Sequence, residues 1–251
     1  VEMLSLDEAF LDVTNCQYCK GSATLIAKTI KNRIKKELNL TSSAGVASNK
    51  FLAKVASDWN KPDGLFVITP NQVADFVKHL PVTKIFGVGK VTAKRLHNMQ
   101  IKTCLDLQNI SLSQLVDRFG KMGERFYYLC RGVDDRLVES ESVRKSLSVE
   151  ETFPRDLKTV EECLSALVTL IQRLKRNLLR ESNLLITKQF VKIKFCDFKM
   201  TTAEITKKDE FVDQTFFDLF KVGFNRYNKP IRLLGVGVRF GKQVVMNKTH
   251  V

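Results

Sequence analysis

Near the start of the chain, in the run EMLSLDEAFLDVT (residues 2–14), Asp7 and Glu8 stand side by side in a mostly apolar stretch. Adjacent carboxylates repel, and burying a charge without a partner is costly, so the pair calls for a positive object. Hard oxygen donors of this kind suit Mg²⁺, which keeps open positions for phosphate. Two such ions about 3.5–4 Å apart can activate a hydroxyl and stabilise a leaving group in phosphoryl transfer. Residues 3–13 read as a strand. Neighbouring side chains of a regular strand point to opposite faces, so both acids address one site only where the strand ends or turns. Two carboxylates are also few for two ions, and a further ligand is expected from elsewhere.

Two more stretches carry patterns with chemical consequences. VTKIFGVGKVTAKRL (82–96) runs apolar–Gly–apolar–Gly into a helical repeat, the pattern of a helix-hairpin-helix. Gly87 and Gly89 permit a tight hairpin whose following backbone N–H groups face a phosphate. Lys90 adds charge there, and Thr92 adds a hydroxyl that can bond a ligand or cap the helix. Such contacts read no bases, so they predict sequence-independent, salt-sensitive binding. Further on, FVKIKFCDF (190–198) sets Val191, Ile193 and Phe195 on one face and Lys192 and Lys194 on the other. LLGVGVRF (233–240) likewise opposes Leu234, Val236, Val238 and Phe240 to Gly235, Gly237 and Arg239. One face packs; the other is basic or bare, and a bare glycine lets a ligand approach the backbone.

These groups need elements to hold them. SATLIAKTIKNRIKKEL (22–38) repeats Leu25, Ile26, Ile30, Ile34 and Leu38 at helical spacing, with Ser22 as N-cap. SSAGVAS reads as a short strand, NKFLAKVASDW as a helix ended by the turn NKPDG, and LFVIT as a buried strand. Alternating strands and helices therefore run to about residue 70. Residues 70–136 show short helices punctuated by glycines. Residues 137–144, LVESESVR, lack periodicity and read as a linker. The remainder gives a βαββαβ order, a four-stranded sheet with two helices on one face. Most phenylalanines, such as Phe51, Phe119 and Phe217, fall at core positions.

Composition bounds what such a chain does. With 251 residues, two or three units are expected, and 44% hydrophobic residues exclude a disordered tail. No run of eighteen apolar residues encodes a membrane span, and no basic region followed by an apolar stretch marks a secretory leader. The chain begins with Val, at the edge of a run that reads as a strand, and so reads as a fragment. The net charge of +14 is spread along the whole chain, which makes a polyanion the leading partner. Cys16 and Cys19 have zinc-ribbon spacing, but no second pair completes four ligands. They read as a loop feature of a reduced, cytoplasmic protein.

SLDEAFLDVT, then SAGVASNKFLAKVASDWNKPDG (43–64), then FGVGKVTAKRL (86–96) together resemble the Y family of translesion DNA polymerases, most closely its bacterial DinB branch. The resemblance covers the whole chain. It implies an α+β multidomain protein: the C-terminal half of a palm (1–69), a helical thumb with a helix-hairpin-helix (70–136), a linker (137–144) and a ferredoxin-like little finger (145–251). It implies that Asp7 bridges two catalytic Mg²⁺ ions and that Glu8 binds the ion activating the primer 3′-hydroxyl. Lys61 matches the lysine that contacts the triphosphate of the incoming dNTP. Lys50 and Lys54, on the preceding helix, have no firm role, and Lys54 reads as a solvated face or a weak DNA contact. On the terminal sheet, Ser146, Thr152, Lys192, Lys194 and Arg239 are the candidates for contacting phosphates of primer–template DNA.

A sliding-clamp partner is expected for such a family, and Gln243 followed by Val244, Val245 and Met246 is an imperfect match to its peptide. A monomer is expected. The family's first palm strand with a further metal-binding aspartate, its aromatic steric gate and its fingers cannot be placed in this sequence. The expectation is therefore that this chain alone polymerises little or nothing. The rivals are a non-catalytic, sequence-independent duplex-binding module, and a nuclease or recombination factor. Mg²⁺-dependent incorporation separates the first from a polymerase, and SLDEAF argues against the second.

Overall fold

The computed structural model describes residues 1–140, 144–180, 184–206 and 210–241. They form two compact units, Val1–Glu141 and Ser142–Val251. The expected clamp segment, Gln243 to Met246, lies outside the described residues.

The first unit opens on β1 (Glu2–Met3) and β2 (Ala9–Phe10), paired antiparallel. The single strand expected over residues 3–13 is instead this hairpin. Its turn closes because Leu4 and Ser5 N–H both donate to Glu8 O, at 2.8 and 3.2 Å. Helix α1 (Ala23–Leu38) starts where Ser22 Oγ accepts the Leu25 N–H at 3.3 Å, and ends at Asn39 in the left-handed region. Of its apolar residues only Ile26 is buried, while Leu25, Ile30 and Leu38 are exposed. The reason is the size of what it packs on: β3 (Ala44–Val46) and β4 (Leu65–Val67) have three residues each.

β3 and β4 pair in parallel, joined through α2 (Lys50–Trp59). Gly45 permits this unit. A Cβ there would lie 2.1 Å from Ala53 O and 2.3 Å from Ser57 N, so the α2 backbone rests directly on the strand. Asn49 caps α2 by accepting the Leu52 N–H at 3.0 Å.

Five short helices follow: α3 (Val73–Lys78), α4 (Lys90–Asn98), α5 (Cys104–Gln108), α6 (Leu112–Phe119) and α7 (Lys121–Leu129). Thr103 and Ser111 begin α5 and α6 with capping boxes, as short helices need their orphan N–H groups satisfied locally. One core runs from Phe51, Leu52 and Ile68 through Leu80, Leu96 and Leu107 to Leu115 and Phe126. Beyond α7 the chain returns to α2: Leu137 O accepts from Lys50 Nζ at 3.0 Å, and Glu139 N–H donates to Glu2 at 2.8 Å.

The second unit runs β5 (Ser146–Leu157), α8 (Val160–Leu178), β6 (Ile186–Phe195), β7 (Met200–Thr206), α9 (Asp213–Phe224) and β8 (Ile231–Phe240). The βαββαβ order is present as one antiparallel sheet ordered β5-β8-β6-β7. Its first and third strands are the edges, where a ferredoxin-like order has them at the centre. Composition explains this. Pro154 cannot donate to a ladder and keeps β5 at an edge, with a register shift between Thr152 and Leu157. By contrast, β8 is buried on both faces along Leu233–Val238 and takes a central place.

Val191, Ile193 and Phe195 with Leu234, Val236 and Val238 pack against Leu167, Leu170 and Leu174 of α8 and Phe216 and Phe220 of α9. The fully buried Gln189 exchanges hydrogen bonds with Val212, at 3.0 and 3.1 Å, and so fixes the start of α9. Among the described residues, no helix is long and apolar enough to cross a membrane.

Candidate active site and nucleic-acid interface

Asp7 and Glu8 sit at the end of the β1–β2 turn, outside the paired strand residues, so the strict alternation of a regular strand does not apply to them. Asp7 is exposed, and its Oδ1 accepts from Ser5 Oγ at 2.6 Å. That bond, its own backbone N–H and then the charges of Lys61 and Lys54 hold its carboxyl below the usual range. Glu8 is half-buried, and its Oε1 accepts from Lys54 Nζ at 2.7 Å. The lysine is not on a solvated face. Its side chain is only 19% exposed, and its Nζ also lies 3.4 Å from Asp58 Oδ2, one turn further along α2.

Asp58 Oδ1 in turn accepts from Lys61 Nζ at 2.5 Å. Burial opposes the charge on Lys54, but the bond to Glu8 and the fields of Asp58 and Glu8 outweigh it and raise its pKa. Burial likewise opposes the charge on Asp58, and Lys61 and Lys54 outweigh it and lower its pKa. Lys61, which is exposed, is thereby linked to Glu8 of the acidic turn through Asp58 and Lys54. Its loop is anchored at Asp63, which takes Lys31 at 2.7 Å and Lys35 at 3.6 Å, while Lys31 also donates to Ser42 O.

Lys50 is buried as well and pairs with Glu2 at 2.5 Å. From the sequence Lys54 has no firm role, and Asp58 goes unnoticed altogether. The available signal is spacing: Lys54–Asp58 at i,i+4 and Asp58–Lys61 at i,i+3.

Asp7 and Glu8 supply hard oxygen donors. They fit Mg²⁺ as it is commonly held, by one or two carboxylates and completed by phosphate. Among the described residues, no group of three or more His, Cys, Asp or Glu could hold a metal ion by itself. All six cysteines are free.

In the hairpin, Gly87 has φ +97°, a conformation few other residues adopt, and the Met122 Cε packs 3.1 Å from where its Cβ would stand. Gly89 caps α4 with extended backbone and open space around it, and it offers no side-chain cap to the first N–H groups of the helix. Lys90 beside it is exposed and Thr92 half-buried. Phe86, at the start of the hairpin, borders the same small cavity as Lys50, Lys54 and Glu2.

On the face of the second unit's sheet turned away from α8 and α9, Ser146 is opposite Arg239, Lys192 opposite Gly235, and Thr152 and Lys194 flank Leu233 on either side. The structure thus brings all five candidates onto one face. That face is less naked than its sequence suggests. Lys192 pairs with Glu150 at 2.8 Å, and Glu204 takes both Lys188 at 2.7 Å and Arg239 at 3.1 Å. Nor is Gly237 bare. The Phe190 ring lies over it, with Cζ 2.3 Å from the position of a Cβ, and Arg239 stacks on that ring at 5.4 Å. The glycine makes room for an aromatic neighbour, not for a ligand.

A carboxylate hairpin beside paired lysines, a glycine hairpin opening a helix and a basic sheet face are what the chain presents, and comparison with known proteins gives their class: the polymerases that synthesise DNA. Family models match in the same order: the impB/mucB/samB family over residues 1–58, the DNA polymerase-iota thumb domain over 83–134, and the impB/mucB/samB family C-terminal domain over 144–240. DNA polymerase IV of Protochlamydia amoebophila is 51% identical over 239 residues, 95% of this chain and 68% of that protein. DNA polymerase IV of Ralstonia nicotianae is 49% identical over 240 residues, 95% of this chain and 67% of that protein. Among solved structures, a Y-family DNA polymerase chimera matches with TM-score 0.83 and 29% identity, covering 95% of this chain and 70% of that one. An insertion ternary complex of Dbh DNA polymerase matches with TM-score 0.55 and 26% identity, covering 92% and 67%. The chain belongs to the Y family of DNA polymerases, alongside the DNA polymerase IV proteins.

Proposed function

We propose that this chain serves template-directed, low-fidelity DNA synthesis across damaged templates, with Asp7 and Glu8 as its metal ligands. The observation that carries this reading is the turn that sets both acids beside Lys54 and Lys61. Mg²⁺ held there supplies the positive charge that favours an ionised primer 3′-hydroxyl and a departing pyrophosphate. Lys61, resting on Asp58, is within reach of the turn and exposed, and turns its ammonium to the triphosphate of a dNTP. Gly87, Gly89, Lys90 and Thr92 hold a DNA phosphate at the N-terminus of α4. Ser146, Thr152, Lys192, Lys194 and Arg239 hold further phosphates on the open sheet face, without reading bases. The palm, thumb and little finger occupy residues 1–69, 70–136 and 145–251. The chain acts as a monomer in the cytoplasm.

With two carboxylates and, among the described residues, no group of three or more metal-ligating side chains, the chain by itself extends primers slowly or not at all. The test pairs DNA binding with primer extension. Salt-sensitive binding of primer–template, with negligible extension in Mg²⁺ and all four dNTPs, is expected. Robust extension would refute the incompleteness of the site. Absence of DNA binding at low salt would remove the polymerase reading.

A further inference from the structure

Lys54 occupies an unusual place for a lysine. Its ammonium is shared between Glu8 Oε1 at 2.7 Å and Asp58 Oδ2 at 3.4 Å, and its side chain is largely buried. The helix beneath it is fixed, so its reach is limited to what its own side chain spans. The α2 backbone rests on Gly45, Asn49 caps its first turn, and Asp134 accepts the Phe51 N–H at 2.9 Å. Glu8, by contrast, is carried at the end of a short turn. A lysine ammonium and a divalent cation cannot share one carboxylate without strong repulsion. Asp58 provides the second place for the ammonium to go, and it already holds Lys61.

We propose that Lys54 is a positioning residue that holds the Glu8 carboxylate until a divalent cation takes it, and then rests on Asp58 alone. This rests on the reading of Asp7 and Glu8 as metal ligands. Asp58 carries two lysines, so a phosphate that draws Lys61 away leaves Asp58 free to take Lys54. Release of Glu8 is thereby coupled to arrival of the triphosphate. No bond is made or broken in this exchange; one cation replaces another on the same oxygen.

The test is titration of Mn²⁺ into the full chain, with free Mn²⁺ counted by its electron paramagnetic resonance signal. Lys54→Met is expected to tighten Mn²⁺ binding by about tenfold or more, and Lys54→Arg to bind as the parent does. Asp58→Asn is expected to weaken binding in the parent, but to change little in the Lys54→Met background, because its effect passes through Lys54. Folding of each variant is checked by its thermal transition, and the charge-preserving Lys54→Arg separates the ammonium's role from packing. Binding by Lys54→Met equal to the parent, while still lost in Asp7→Asn/Glu8→Gln, would overturn the proposal and leave the metal-ligand reading standing. An equal effect of Asp58→Asn in both backgrounds would overturn the transfer to Asp58. Absence of Asp7- and Glu8-dependent binding in every variant would overturn the metal-ligand reading itself.

Discussion

Asp134 Oδ2 accepts the backbone N–H of Phe51 at 2.9 Å, across 83 residues of chain. The bond ties the segment after α7 to the first turn of α2, the helix that carries Lys54 and Asp58. The same carboxylate takes Arg136 through two contacts of 2.7 Å, and the Asp134 side chain is only 3% exposed. Asn49 Nδ2 adds a bond to Gly132 O at 2.8 Å, so the helical part and α2 are joined twice at this point. Asp134→Ala is expected to destabilise the first unit by about 1.5–3 kcal/mol, the range for hydrogen bonds to a charged group. Urea unfolding of the first unit's transition checks it.

Stability should fall in acid in a defined window. Arg136 and the Phe51 N–H outweigh burial and hold Asp134 below its ordinary value, and Lys61 and Lys54 do the same for Asp58. A carboxyl depressed on folding contributes stability that is full above its unfolded pKa of about 3.9, and lost as pH falls through the folded value. The unfolding midpoint should therefore be level from pH 7 to about 5 and drop below about 4. In Asp134→Asn the acid drop should be shallower. An identical acid limb in the variant would remove Asp134 from the account.

The hairpin glycines should behave differently from each other. Gly87→Ala forces a side chain into φ +97° and against Met122, whereas Gly89→Ala meets open space in ordinary extended backbone. Gly87→Ala is expected to cost stability of about 1 kcal/mol or more. Gly89→Ala should fold as the parent does, yet weaken DNA binding by placing a methyl where the phosphate would approach. Melting curves and fluorescence anisotropy with duplex DNA separate the two effects.

On the sheet face, the acids should act as brakes on DNA. Glu204→Gln releases both Lys188 and Arg239 and should tighten DNA binding. The slope of log affinity against log salt should steepen by about one for each further phosphate that the freed cations neutralise. Lys194→Ala should shift the slope by about the same amount the other way. A Glu204→Gln variant that binds no tighter at any salt would contradict this.

Periodicity and punctuation make local features legible. Ser22 as a cap, the helix over 22–38, the helix-hairpin-helix glycines and the βαββαβ order all stand in the structure. What the sequence does not show depends on partners distant along the chain. Lys54 meets Glu8 across 46 residues and Lys50 meets Glu2 across 48, and no local pattern announces such pairs. Alternation on β6 and β8 correctly sorts the two faces. It cannot tell that Phe190 covers Gly237, because strand register places them opposite one another. The exposed apolar residues of α1 escape a sequence reading for a related reason. A helical stripe states which face is apolar, while its burial depends on how much sheet lies beneath it.

Calorimetric titration of a dNTP into the chain, with and without Mg²⁺, tests the central claim most directly. The parent chain should bind the nucleotide in a Mg²⁺-dependent manner, and Asp7→Asn/Glu8→Gln should lose about tenfold or more of that affinity. Equal affinity in parent and variant, or binding that ignores Mg²⁺, would contradict it.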